Sequence, residues 1–441
     1  MSLYRHLFYA ESLQVLCSQE QVVQHMIHFE VALAQAQAQH GIITEGVAET
    51  IAKASESSTI DFEKLRQDIP LSGNAAAPLI KQLVRIVHES SHDAARYIHL
   101  GATSQDVVDT ATVLMITQVI EWLEQHLLKL EKHLIKLTQE HRNTMMIGRT
   151  LMQQARPITF GLKTAGWLES INRSRQRLTA SKNRLLCIQL GGAVGSQNSF
   201  LTKEVRKTMA ILLELQDAPS YHSHRDNLAE LCSMLGILTG SLGKMAKDVI
   251  LMAQTEVGEV YEPAAEGRGT SSTMPHKRNP VLSTAIVANA HRVPHLVATM
   301  LSNMLQEHER AGGAWHAEWE VLTTIIGLTG GALEKAIELM AGLEVNTERM
   351  LQNLELTQGL IYAENVSLAL AASMGKAQAH ALVEEACKKS LAENRHLKTI
   401  ILEMEIALST TLLDRLFDPK NAIGLSLEII NEILSKYDNA L

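Results

Sequence analysis

From residue 107 to residue 141 the chain contains neither Gly nor Pro. Val107, Val108, Ala111, Leu114, Met115, Ile120, Leu123, Leu127, Leu130 and Leu134 recur there with a period of about 3.6 residues, the spacing of one helix face. The run predicts a single unbroken helix on the order of 50 Å long, at about 1.5 Å per residue. Val22, Val23, Met26, Ile27, Val31 and Leu33 predict a helix over 20–40. A polar, poorly periodic stretch follows at 53–62. Ile69-Pro70-Leu71-Ser72-Gly73-Asn74 reads as a break, and Leu79, Ile80, Leu83, Val84 and Val87 predict the next helix. A turn and the start of a second long helix are expected around Pro157, with that helix running to about Gln189. Others are expected over about 227–256 and from Val281 to about Gln306. The segment Glu307–Trp319 interrupts the pattern before a further helix. Beyond about 345 the helical segments become shorter and more charged, with breaks at 346–355 and 412–424. No run reads as strand. The pattern therefore predicts an all-α protein with a helical N-terminal domain over 1–98, a central long-helix bundle over 99–344 and a small helical C-terminal domain over 345–441.

Composition supports this picture and narrows the function. With 441 residues the chain is long enough for two or three domains. It is 46% hydrophobic but only 4% aromatic, and rich in helix formers such as Ala, Leu, Glu and Gln. A formal net charge of −8 argues against bulk nucleic-acid binding. Cys17, Cys187, Cys232 and Cys387 lie far apart and form no CxxC pair, so they read as reduced thiols of a cytoplasmic protein. The N-terminus shows no long apolar segment of a signal peptide, and no run of about 18 apolar residues predicts a membrane span. His222 and His224 are two apart rather than four, with no completing ligand set, so no metal is expected.

The chemistry concentrates in a stretch that suits no packed core. Residues 267–280 read Gly-Arg-Gly-Thr-Ser-Ser-Thr-Met-Pro-His-Lys-Arg-Asn-Pro. Gly267 and Gly269 make its backbone permissive. Hydroxyls follow, then cations, and Asn279-Pro280 has the form of a helix start. A polar cationic loop leading into a helix N-terminus suits carboxylates. Upstream, His99-Leu-Gly-Ala-Thr103-Ser104-Gln-Asp106 precedes the long helix, where Thr103, Ser104 or Asp106 would cap it. Gly148-Arg-Thr150-Leu-Met-Gln153-Gln-Ala-Arg-Pro-Ile-Thr-Phe-Gly161 follows that helix. Gly191-Gly192-Ala193-Val194-Gly195 marks close packing or a turn.

These stretches resemble the fumarase/aspartase superfamily. Residues 271–280 match its signature Ser-Ser-x-Met-Pro-x-Lys-x-Asn-Pro at every fixed position, with Thr270 where a Gly is usual. Thr103–Asp106 resembles its Thr-Ser-x-Asp motif. Residues 148–161 resemble its Gly-x-Thr-x-x-Gln-x-Ala-x-Pro-x-Thr-x-Gly motif, and 191–195 its Gly-Ala-x-Gly segment. The resemblance implies a loop that closes over the substrate, with Ser271 as general base and Lys277 and Asn279 on a substrate carboxylate. It further implies carboxylate binding by Thr103, Ser104, Thr150 and Gln153. His99, Ser272, Met274, Arg310 and His316 complete the candidate substrate-binding set. The implied reaction moves a proton next to a carboxylate through an aci-carboxylate, with no cofactor and no metal.

Two families share the wording Met-Pro-His-Lys-Arg-Asn-Pro and the run Gly359-Leu-Ile-Tyr-Ala-Glu364: the adenylosuccinate lyases and the bacterial 3-carboxy-cis,cis-muconate cycloisomerases. Adenylosuccinate lyases carry a His general acid where this chain has Leu151, and a Glu partnering it where this chain has Thr284. An amine leaving group needs protonation; a carboxylate does not. Loss of both acid groups fits lactone formation. Residues 70–81 and 308–319 also resemble the cycloisomerases, although these usually have Trp at the position of Leu151. The expected activity is interconversion of 3-carboxy-cis,cis-muconate and 4-carboxymuconolactone by anti addition, in protocatechuate catabolism. The rivals are adenylosuccinate lyase and a catalytically inactive structural homologue. In an up-down bundle the first motif and the other two would sit at opposite ends of helices about 50 Å long. One substrate touching all three motifs would then require more than one subunit, and the superfamily's own arrangement implies a homotetramer with shared sites.

Overall fold

The computed structural model describes residues 3–56, 59–270, 273–274, 276–404, 406 and 408–437. The N-terminal elements are α1 (Arg5–Phe8), α2 (Glu11–Leu16), α3 (Gln19–Gln39), α4 (Glu45–Glu56), α5 (Phe62–Ser72), α6 (Ala76–Ser90) and α7 (His92–Ala95). The middle of the chain holds α8 (Ser104–Glu140), β1 (Met145–Thr150), β2 (Gln153–Thr159), α9 (Phe160–Leu185), α10 (Lys203–Leu212), α11 (Asp226–Met252), β3 (Val260–Tyr261), α12 (Val281–Ser302) and α13 (Ala314–Ala341). Then come β4 (Glu344–Val345), α14 (Thr347–Glu355), α15 (Ala363–Met374), α16 (Lys376–Glu393), α17 (Leu397–Glu403), α18 (Thr410–Leu416), α19 (Pro419–Ala422) and α20 (Ser426–Ser435). The fold is thus helical, as the periodicity predicts. Among the described residues no helix is long and apolar enough to cross a membrane.

The chain packs as two compact units. The first comprises residues 1–127, 174–240 and 288–334, and the second 128–173, 241–287 and 335–441. Helices α8, α9, α11, α12 and α13 contribute residues to both. In the first unit the main core joins Phe29 and Leu33 of α3, Leu79 and Leu83 of α6, the opening turns of α8 through Val107, Ala111 and Leu114, and Val205 and Met209 of α10. Gly331 of α13 lies so close to the Phe8 carbonyl that any Cβ there would collide, which is why a glycine sits inside that helix. In the second unit α15–α18 enclose Val366, Leu370, Ile400 and Leu413. Ile147 of β1 packs with Leu354, Ile361, Tyr362 and Ala422 in a separate cluster.

Local expectations fail at several places, among them residues 412–424, expected as a break, which hold most of α18 and all of α19. The region around Pro157 is a strand, not a helix start: β1 and β2 pair antiparallel, Thr150 opposite Gln153, and α9 begins only at Phe160. Residues 346–355, expected as a break, form α14, with the Asn346 side chain accepting from the Arg349 N–H as its cap. Pro70 does not end α5, which continues to Ser72 and stops at Gly73 in the left-handed region, φ 74°. A second small pairing, β3 with β4, joins Val260 to Val345 and Tyr261 to Glu344. The missing signal was length. Two- to seven-residue strands leave too short an alternation to read.

Candidate active site

In the first unit the start of α8 is organised by one carboxylate. Asp106 is fully buried and accepts the Thr103 N–H at 3.0 Å, closing the helix start back on itself as a capping box does. It also accepts the N–H groups of Gly191 (2.8 Å) and Gly192 (2.9 Å) and bonds to Nε2 of His222 (2.8 Å). The Gly-rich segment and the His222 stretch are therefore fastened to the first motif. This leaves Thr103 and Ser104 half-buried at the helix start. Arg310 donates to the Thr103 hydroxyl at 2.8 Å and to the Ala193 carbonyl at 3.2 Å. His99, with φ 59°, bonds through Nδ1 to the buried Glu30 at 2.7 Å. Burial works against the charged form of His99, but the hydrogen bond and charge of Glu30, helped by Asp106, win and raise its pKa.

One turn further along α8 lies a buried ion cluster that sequence reasoning missed. Arg225 donates to both oxygens of Asp109 (2.6 and 3.1 Å) and to both oxygens of Glu318 (2.6 Å at the shortest). Trp315 Nε1 donates to Asp109 at 3.0 Å. All four side chains are buried. Burial opposes the charge on Arg225, but its two acids more than offset this and raise its pKa; burial also pushes the Glu318 carboxyl up. The cluster joins the starts of α8, α11 and α13. His316 is exposed and lies among the rings of Trp315 and Trp319 (5.3 and 4.7 Å between centroids). His99, Thr103, Ser104, Arg310 and His316 thus all belong to the first unit. The two histidines of 222–226 draw the eye, yet it is Arg225, just after His224, that holds the ion cluster, while His222 bonds to Asp106.

In the second unit the second motif is the tip of the β1–β2 hairpin. Leu151 and Met152 form its two-residue turn, both with positive φ (49° and 66°), the arrangement of a type I′ turn. Thr150 and Gln153 flank the turn and are exposed, as is Leu151 at 97% and Met152 at 72%. Behind the tip, Arg149 makes a bidentate pair with the buried Glu259 (2.9 and 2.7 Å), which also accepts from Asn353 Nδ2 at 2.8 Å.

The signature stretch leaves β3 and reaches α12. Ser271 and Ser272 lie outside the described residues. Both the backbone N–H and the side-chain Nδ2 of Asn279 donate to the Gly269 carbonyl at 3.0 Å, cinching the two ends of the loop. Gly269 (φ 63°) leaves no room for a Cβ beside the Asn279 carbonyl. Asn279 is not the cap of α12, as its sequence position predicted. The buried Glu262 accepts the N–H groups of Leu282 (3.0 Å) and Ser283 (2.7 Å) instead. This helix N-terminus is therefore already occupied by a carboxylate of the chain itself, contrary to the expectation that it serves a substrate. Arg278 pairs with Glu344 and donates to the Glu262 carbonyl. Lys277 and Met274 are exposed, and Lys277 makes no ion pair with the described acidic side chains. Hairpin and loop thus hang from one short stretch, Glu259 to Glu262.

The structure gathers the first motif with Arg310 in one unit, and the second motif with the signature loop in the other. Comparison with known proteins shows the family to which the chain belongs. A family model described as Lyase matches residues 7–294, and one described as Adenylosuccinate lyase C-terminus matches residues 359–433. The chain is 44% identical to 3-carboxy-cis,cis-muconate cycloisomerase of Acinetobacter baylyi, with 98% of each chain covered. It is 42% identical to the enzyme of the same name from Pseudomonas aeruginosa, covering 98% of this chain and 95% of that one. The crystal structure of 3-carboxy-cis,cis-muconate lactonizing enzyme from Pseudomonas putida superposes with a TM-score of 0.92 at 40% identity, over 99% of both chains. The chain therefore belongs to the lyases of the fumarase/aspartase superfamily, beside the 3-carboxy-cis,cis-muconate cycloisomerases.

Proposed function

We propose that this chain is a 3-carboxy-cis,cis-muconate cycloisomerase, interconverting 3-carboxy-cis,cis-muconate and 4-carboxymuconolactone in the breakdown of protocatechuate. The observation that carries this reading within the superfamily is the absence of an acid dyad. Leu151, at the hairpin tip, has no proton to give. Thr284 is exposed on the first turn of α12, its hydroxyl donating to the Val281 carbonyl at 3.1 Å. A leaving carboxylate needs no proton, so the site can do without both.

In lactonisation an internal carboxylate oxygen bonds to one alkene carbon. The electron pair passes to the carbon next to a second carboxylate, and the Ser271 hydroxyl delivers a proton there, with anti geometry overall. In reverse, the Ser271 alkoxide removes that proton, the aci-carboxylate carries the charge, and the lactone C–O bond breaks. A serine alkoxide at neutral pH needs fixed positive charge. With α12 already capped by Glu262, the cations available for this are Lys277 and Arg310. Thr103, Ser104, Thr150, Gln153 and Asn279 would bind carboxylates, with His99, Ser272, Met274 and His316 lining the site. No cofactor or metal is invoked.

The working enzyme in this reading is a homotetramer with shared sites. Two features support it: the motifs divide between two units of each chain, and the exposed apolar hairpin tip invites a partner. A cytoplasmic setting suits the free Cys17, Cys187, Cys232 and Cys387. The match of residues 359–433 to the adenylosuccinate lyase C-terminus keeps one rival worth a parallel assay. The test follows ultraviolet loss of the conjugated diene when purified protein meets 3-carboxy-cis,cis-muconate, with adenylosuccinate alongside. Rapid loss with the muconate alone is expected, and Ser271→Ala should lower kcat/KM by about 1,000-fold or more. Turnover of adenylosuccinate alone would overturn the proposal.

A further inference from the structure

Helices α1 and α2 line, with α12 and α13, an open cavity of about 610 Å³ in the first unit, with Arg5 half-buried and Arg292 exposed at its wall. Its walls include Arg5, Tyr9, Gln14, Arg292, Thr323 and Thr324, and among its lining residues there is no carboxylate. Arg5 lies over the ring of Tyr9, 5.6 Å from its centroid, and Arg292 over that of Phe8, at 5.3 Å. Neither arginine is ion-paired with an acidic side chain among the described residues. A guanidinium placed over an aromatic ring and free of any ion pair keeps N–H donors for a flat or tetrahedral anion. Cys17, also in the lining, adds no negative charge, because burial pushes its thiol up to about 11. The Thr323 and Thr324 hydroxyls donate to carbonyls of their own helix, so the charged donors left to the cavity are the two guanidinium groups, beside the neutral Gln14 amide and the tyrosine hydroxyls of the lining.

The N-terminal segment is seated rather than loose. Asn289 Nδ2 donates to the Phe8 carbonyl at 2.8 Å, and Tyr9 packs directly on Gly327, where a Cβ would strike its ring. Two arginines are therefore presented to one cavity by contacts that fix both walls. In a chain of net charge −8, a cavity lined by two guanidinium groups and no carboxylate suits an anion, with Glu11 and Glu20 confined to the adjoining cleft that shares Arg5. We propose that this cavity binds a small dianion, a phosphate or dicarboxylate group, bridged by Arg5 and Arg292. The inference rests on none of the substrate assignments above.

The test is calorimetric titration of inorganic phosphate into the full chain and three variants: Arg292→Gln, the pair Arg5→Gln with Arg292→Gln, and Lys277→Ala as a marker for the substrate loop. The full chain and Lys277→Ala should bind phosphate alike. Arg292→Gln should bind at least about tenfold more weakly, and the double variant not measurably. Binding should also weaken as sodium chloride is added. Succinate then separates the sources in the Lys277→Ala background: displacement of phosphate extends the site to dicarboxylates, and failure to displace it restricts the site to phosphoryl groups. Three results overturn the proposal: no phosphate binding by the full chain, binding lost in Lys277→Ala but kept in the arginine double variant, or a fall in assembly mass in the arginine variants. The last would assign the guanidinium groups to a neighbouring subunit.

Discussion

Glu262 accepts the backbone N–H of Ser283 at 2.7 Å, and so the helix that follows the signature loop is capped from inside the chain. The buried carboxylate satisfies two of the orphan N–H groups of α12 and sits favourably against the helix dipole. Glu262→Ala should lower stability by about 1–2 kcal/mol, read from chemical denaturation. It should also lower kcat/KM, because the same change loosens the C-terminal anchor of the loop. An unchanged denaturation midpoint would show that water replaces the cap at no cost.

Arg225 holds two buried acids at once. Removing it leaves Asp109 and Glu318 without their counter-charge, and Arg225→Met is expected to cost about 3–5 kcal/mol. Changing Asp109→Asn in the same chain should recover part of that loss. Denaturation of the two variants side by side checks both statements.

The His99–Glu30 pair makes stability pH-dependent in a definite sense. The folded pKa of His99 is raised above its unfolded value, so the protonated form is favoured by folding. The contribution is complete below the unfolded pKa of about 6.5 and is lost as pH rises through the higher folded value. The melting temperature of Glu30→Gln should therefore fall short of the unaltered chain most at mildly acidic pH, with the gap narrowing as pH increases. A gap that widened with pH would contradict the pairing.

Leu151 and Met152 occupy positive-φ positions that non-glycine residues reach at a cost of roughly 1 kcal/mol each. The double change Leu151→Asn, Met152→Gly supplies the residues a type I′ turn favours. It should raise stability by about 1 kcal/mol while lowering kcat/KM, since the apolar tip is lost. Loss of stability on this change would mean that the tip is buried in the assembly and that its packing outweighs the backbone strain.

If each site draws its motifs from different subunits, two inactive variants should rescue one another. Thr103→Ala with Ser104→Ala removes the first motif, and Ser271→Ala the signature base. Mixed after mild dissociation and reassembly, the two proteins should regain activity through hybrid sites that carry neither defect. Light scattering should give a mass near four chains. A monomer, or no regain of activity on mixing, refutes shared sites.

The helices were legible because burial repeats along them. Ten apolar positions from Val107 to Leu134 recur at helical spacing, and all prove buried in α8. The superfamily could be identified because contiguous residues carry its motifs, as 271–280 do. Spacing along the chain said nothing of partners far away in sequence. Asp106 could be read as a cap, but its bonds to Gly191, Gly192 and His222 join segments about 85 to 116 residues apart. Arg225 looked like an appendage to two histidines, until folding brought Asp109 and Glu318 to it from 116 and 93 residues away. The β1–β2 hairpin was missed because its strands are short and its turn lacks the usual Asn-Gly. Glu262 was invisible as a cap because the cap lies about 20 residues upstream of the helix it closes rather than next to it. Local pattern determined which segments are helical and which carry chemistry. Only the tertiary structure decided which buried charges are balanced and that the start of α12 is closed by a carboxylate of the chain itself, because both depend on approach through space.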